Sequence, residues 1–112
     1  MEYSTSEKNG TVIFSFKGNM MGGASATGFR EEVKSLTEQG KTKIIGDFSG
    51  VDFMNSSGLG ILIATLTGLR KEGGDFKLCS PTDRIKSLLK ISKLFTVFDI
   101  YETQEEAVKA YQ

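Results

Sequence analysis

Between Thr42 and Leu69 the apolar residues change their spacing once, and that change dictates a strand running almost directly into a helix. Ile44 and Ile45 lie in a short run, Thr42 to Phe48, that has the length and composition of a buried strand. Leu62, Ile63, Leu66 and Leu69 then follow Leu59 at offsets of 3, 4, 7 and 10 residues, which puts all five on one broad helical face. The turn between the two patterns is tight, and Gly73-Gly74 stops the helix. Two adjacent hydroxyls, Ser56 and Ser57, therefore land on a helix N-terminus. There the unpaired N–H groups and the positive end of the macrodipole stabilise an anion by about 0.3–1 kcal/mol. The positions three residues after Asn55, Ser56 and Ser57 are Gly58, Leu59 and Gly60, so no carboxylate completes a capping box at this site, whereas other helix starts carry their own acids. Gly58 and Gly60 each cost the helix about 1 kcal/mol relative to Ala. Close approach of a partner, or of the preceding loop, would account for them.

The flanking segments repeat the alternation. Val12, Phe14 and Phe16 recur at period two, and the Asn9-Gly10 pair before them predicts a tight hairpin to a partner strand over residues 3–8. Ala26, Phe29, Val33 and Leu36 have helical spacing and Gly40 follows, which predicts a helix over 25–39. A strand around Phe76 to Cys79 leads to Ser80-Pro81-Thr82-Asp83, where Ser80 is the expected cap of a third helix with Ile85, Leu88 and Leu89 on its core face. A short strand near 97–100 precedes a last helix opened by Thr103 and Glu106, with Ala107, Val108 and Tyr111 facing inward. Strands alternating with helices require crossover connections. The predicted fold is α/β: one mixed sheet of four to five strands with about four helices mostly on one face.

At 112 residues the chain suits one domain, 1–112, without a linker. Fourteen basic side chains balance fourteen acidic ones, which gives no electrostatic reason to expect nucleic acid or an anionic membrane as partner. The most apolar stretch, Gly58 to Leu69, falls short of the roughly 20 residues a membrane span needs. The opening residues lack a basic run leading into an apolar one, so no secretory signal is expected and the predicted location is cytoplasmic. Cys79 has no second cysteine to pair with and reads as a small buried hydrophobe. Histidine is absent, which excludes Ser-His-Asp and Cys-His catalysis and His-based zinc sites within this chain. Gly22-Gly-Ala-Ser25 has no lysine to make it a phosphate-cradling loop. Glu31 and Glu32 read as a solvated helix face rather than an acidic pair. No enzyme activity, cofactor or metal is expected.

Val51-Asp-Phe-Met-Asn-Ser-Ser-Gly-Leu-Gly60 resembles the phosphorylation-site signature of the anti-sigma factor antagonists, bacterial members of the STAS domain family. The pattern of elements around it is similar over nearly the whole chain. The resemblance implies a STAS-like single domain and a protein that regulates transcription by partner switching. Unphosphorylated, it would bind an anti-sigma factor serine kinase of the histidine-kinase-like ATPase class and free the sigma factor. The phosphorylated residue would be Ser56, with Ser57 the less favoured acceptor, and a serine phosphatase is the implied second partner. The family usually has Asp immediately before that serine and another Asp after the second strand; this chain has Asn55 and Met21 there.

Asn55, Ser57 and Gly58 frame Ser56, and Met20, Met21, Gly22 and Met54 flank the same end of the sheet, where flexible thioethers suit an adaptable binding surface. All seven are candidate partner contacts, although Met54 suits core filling equally well. Taken alone, Ser56 and Ser57 also fit as plain helix caps. Lys86, Lys90 and Lys93, with Arg84 close by, read either as a solvated face or as a dock for an acidic partner. Two other functions stay open: a constitutive STAS-type scaffold without phosphorylation control, and a sensor of small anions or nucleotides at the helix N-terminus.

Overall fold

The structure is a computed structural model and describes residues 2–112. Asn9 and Gly10 both take positive φ, 53° and 80°, as a two-residue primed turn demands, and close the hairpin of β1 (Glu2–Lys8) and β2 (Thr11–Lys17). The chain continues through α1 (Ala24–Glu38), β3 (Lys43–Gly50), α2 (Ser56–Lys71), β4 (Asp75–Cys79), α3 (Asp83–Ile91), a 3₁₀ turn (Leu94–Thr96), β5 (Ile100–Tyr101) and α4 (Gln104–Ala110). One five-stranded sheet results, in the order β1-β2-β3-β4-β5. Only β1 runs antiparallel to its neighbour; the other three pairings are parallel. β3 lies in the centre and is buried from Ile44 to Phe48, whereas the edge strand β1 is almost wholly exposed and polar, which discourages pairing with other chains.

The larger core lies under α1, α2 and α3. Phe14, Phe16, Phe29, Phe48 and Phe76 meet there; Phe14 and Phe29 stand edge to face with centroids 4.9 Å apart. The smaller core, on the opposite face, joins Ile13, Ile45 and Cys79 to Ala107 and Val108 of α4. Burial, with the Asp47 carboxylate nearby, pushes the Cys79 thiol up to about 12. On this face Tyr111 donates a 2.7 Å hydrogen bond to the Ile44 carbonyl, and the Lys77 ammonium sits 4.9 Å from the Tyr111 ring centre and 3.0 Å from Asp99. Burial alone would lower the Lys77 pKa, but Asp99 outweighs it and the group stays a stronger base than usual.

Four local expectations change, the first being that Ile63, expected on the buried face of α2 with Leu62, Leu66 and Leu69, is 40% exposed, because it lies at the margin of that face. The predicted strand at 97–100 is shorter and later, at Ile100–Tyr101, because the chain first makes its 3₁₀ turn. Ser80 does not cap α3. It takes a left-handed φ of 53° and donates to the Glu102 carbonyl, while Thr82 is the cap, accepting from the Ile85 N–H at 3.3 Å and donating to the Val51 carbonyl at 3.1 Å. That second bond fixes the head of α3 to the end of β3, a tertiary reason the start falls two residues late. The rule that helix starts carry acids holds for α3 and α4 but not for α1, which has neither a side-chain cap nor a first-turn acid.

Candidate functional site

Two loops at the C-terminal end of the sheet are joined to each other before α2 begins. Gly18 N–H donates to the Gly50 carbonyl at 2.9 Å, Met20 N–H to Phe53 at 2.9 Å, and Asn55 N–H to Met20 at 3.3 Å, which makes Met20 and Met54 an isolated parallel bridge. The loop after β2 thus runs as a short extra strand beside the turn after β3. Asn55 then starts the helix: its side-chain oxygen accepts from Gly58 N–H at 2.9 Å, and its amide donates to the Met21 carbonyl at 3.4 Å.

Ser56 is the first residue of α2 and is exposed, as is Ser57. Neither hydroxyl is hydrogen-bonded among the described residues, the first turn contains no acid, and the cap is the neutral Asn55. The positive end of α2 therefore presents an accessible alcohol with no carboxylate from its own first turn to oppose an added anion. Gly22, with φ 88°, packs against Ser57, and the two share a shallow groove with Thr27, Arg30 and Ile61.

The structure divides the candidate contacts. Met21, 47% exposed, lies at the surface with Asn55, Ser57 and part of Gly22. Met20, expected on that surface, and Met54, expected either there or in the core, are 0% and 1% exposed, because the loop-to-loop bridge turns both side chains into the larger core. Gly58 is also buried: a Cβ there would collide with the Met20 carbonyl oxygen. Its absence of a side chain is required by the preceding loop. A Cβ on Gly60 would meet only open space. Phe53, not singled out from the sequence, is 37% exposed at the head of α2. In the structure Val51 and Met54 are the buried positions of this turn, which leaves Asp52 and Phe53 to point outward, and no local sequence pattern separates the two pairs. Of the acidic pair, Glu31 is exposed, but Glu32 is half-buried and accepts a 3.0 Å bond from the Tyr3 hydroxyl.

A family model, the STAS domain, matches residues 2–107, nearly the whole chain. This chain belongs to the STAS domain family. The anti-sigma-B factor antagonist of Bacillus subtilis is 34% identical over 85 residues, covering 76% of this chain and 77% of its own. A crystal structure of a Thermotoga maritima protein, provisionally classed as an anti-sigma factor antagonist, superposes with a TM-score of 0.87 at 25% identity and covers 96% of this chain and 92% of that one. The Bacillus cell-fate determinant SpoIIAA, solved in a phosphorylated form, gives a TM-score of 0.77 at 23% identity, over 99% of this chain and 100% of its own. The mixed sheet with its helices is thus the STAS fold as anti-sigma factor antagonists have it. No helix among the described residues is long and apolar enough to cross a membrane.

Proposed function

We propose that this chain is a cytoplasmic, non-enzymatic anti-sigma factor antagonist of a single domain, switched by phosphorylation of Ser56. Unmodified, it binds an anti-sigma factor kinase of the histidine-kinase-like ATPase class through the surface around Ser56, and the sigma factor is released. Phosphate on Ser56 ends that binding, and a serine phosphatase restores it. The observation that carries this reading is the exposed Ser56 hydroxyl at the first position of α2, free of hydrogen bonds among the described residues and unopposed by any acid of that turn.

A phosphoserine brings about −1.5 to −2 charges and three strong acceptor oxygens. At this position the fold tolerates it, since the helix N-terminus favours the anion. A partner surface that had covered a neutral hydroxyl must instead desolvate the charge or face it with its own acids, and the complex weakens. Met21, Gly22, Phe53, Asn55 and Ser57 form the contact surface, while Met20, Met54 and Gly58 hold it in shape from beneath. The phosphorylated form of SpoIIAA supports the chemistry in a relative of the same fold.

A second reading is favoured by Asn55 and Met21, which stand where the resemblance to the family signature implies acids: a constitutive binder whose serine is never modified. Incubation with the cognate kinase and ATP, followed by intact-mass measurement, separates the two. One added phosphate on the wild type and none on Ser56→Ala is the expected result. No mass gain on the wild type would overturn the switch and leave the constitutive binder.

A further inference from the structure

We propose that the trough between α1 and α2 is a second part of the partner surface and receives a helix of the partner protein. That helix lies antiparallel to α1 and α2, with its acidic end at Arg30 and Lys34 and its basic end at Glu38 and Glu72. The proposal rests on the reading that a partner protein docks at Ser56. Two cavities form the trough. One, of about 420 Å³, is the shallow groove that Gly22 and Gly23 line with Ser57, Gly60 and Ile61. The other, of about 590 Å³, runs on between Val33, Lys34 and Glu38 of α1 and Ala64, Gly68 and Glu72 at the α2 side. Thr27 and Arg30 line both, so the two join end to end. From Ser57 to Glu72 the trough spans about 22 Å, roughly four helical turns.

The α2 wall is low because Gly60, Ala64 and Gly68 recur every four residues, and a Cβ on either glycine would meet only open space. The Met20 carbonyl accounts for Gly58, but Gly60 and Gly68 weaken α2 and no neighbour in the chain requires them. Small side chains at that spacing let a further helix approach α2 closely. The floor is apolar. Val33, Thr65 and Leu69 are its buried residues, and Thr27, Thr37 and Thr65 each donate the hydroxyl hydrogen to the carbonyl four residues back, which commits their polar atoms to the helices themselves. The top is open, with Ser57, Gly60 and Gly68 exposed along one side and Thr27, Arg30 and Lys34 along the other. A small-molecule site encloses most of its ligand, whereas an open trough of this length suits an amphipathic helix.

Charge sets the direction. β2, β3 and β4 are parallel neighbours, so α1 and α2, which carry the chain back between them, run parallel to each other and their dipoles add. Both N-termini lie at the Ser57 end, toward which Arg30 and Lys34 stand; both C-termini lie at the other, with Glu38 and Glu72 on facing walls. With Glu31 counted, the lining charges sum to +1 in the first half and −2 in the second, and among the described residues none of these five side chains is ion-paired. A second copy of the chain would match such charges only by facing trough to trough, which leaves both hollow. One antiparallel helix fills the trough and complements the dipoles and the side chains at both ends.

The test uses the full chain and its purified cognate anti-sigma partner. Gly68→Leu fills the trough about 18 Å along α2 from Ser56, too far for a contact confined to that serine to register. Open space surrounds Gly68, so circular dichroism should match the wild type and the melting temperature should equal or exceed it. Binding by calorimetry should weaken roughly tenfold or more. Glu38→Lys/Glu72→Lys should weaken it too without lowering the melting temperature, since cations suit helix C-termini. If the wild type binds and Gly68→Leu binds equally well, the trough is not part of the interface and only the Ser56 reading survives. Weakening by Gly68→Leu but not by the charge variant overturns the assigned direction. A wild type that does not bind the partner at all overturns both readings. A dimer seen by light scattering and abolished by Gly68→Leu, or a small molecule seen by native mass spectrometry on the wild type and absent from Gly68→Leu, overturns the assigned occupant.

Discussion

Gly58 and Gly60 look alike in the sequence, each a weak helix former in the first turns of α2, but they answer to different neighbours. At Gly58 the nearest obstacle is backbone, the Met20 carbonyl oxygen, which cannot swing aside. Gly58→Ala should therefore lower stability by about 2–4 kcal/mol. Gly60→Ala has open space and restores helix propensity, so it should raise stability by about 0.5–1 kcal/mol. Urea denaturation of the two variants checks the pair, and equal effects would show that the loop does not hold α2 as described. The position of Ser56 was legible because it depends on local signals, a helix-starting Asn followed by an apolar period. The burial of Met20 was not, because it depends on a bridge to Met54, 34 positions later, that no local pattern announces.

Each element is as secure as its ends. α1 and α2 both stop at a glycine in the left-handed region: Gly40 and Gly73 donate to Thr37 and Arg70, and the residues after them, Lys41 and Gly74, reach back to Leu36 and Leu69. Those stops were readable as single residues. The start of α3 was not, since Ser80 and Thr82 are both acceptable caps and the choice is made by the Thr82 bond to Val51. Removing that cap should cost about 1 kcal/mol in Thr82→Ala, and removing the Asn55 cap about the same, whereas Ser80→Ala should change stability by less than about 0.5 kcal/mol. Thermal or urea unfolding of the three variants measures this, and a Ser80 effect as large as that of Thr82 would contradict the assignment. The alternation of strands and helices gave the architecture, but not which helix crosses to the second face. That falls to α4, whose Ala107 and Val108 are the residues that cover Ile13, Ile45 and Cys79.

For the whole molecule, this second face sets an alkaline limit. Burial raises the pKa of Cys79 to about 12 and that of Tyr111 above its ordinary value, so both stay protonated in the fold where the unfolded chain would release their protons. Their contribution to stability is complete below the thiol's ordinary value near 9 and is lost as pH rises toward about 12. Each group adds a slope of up to about 1.4 kcal/mol per pH unit. Denaturation measured from pH 8 upward should therefore show falling stability, and Cys79→Val should make the fall shallower; a flat wild-type profile would mean the face is hydrated. At the other end of the sheet, the same rigid scaffold presents a neutral alcohol at the electropositive tip of α2. The affinity of the partner anti-sigma factor for unmodified and Ser56-phosphorylated protein, compared by titration calorimetry, tests that role most directly. Binding by the unmodified form and a loss of roughly tenfold or more on phosphorylation is the predicted result. Equal affinity of the two forms would contradict it.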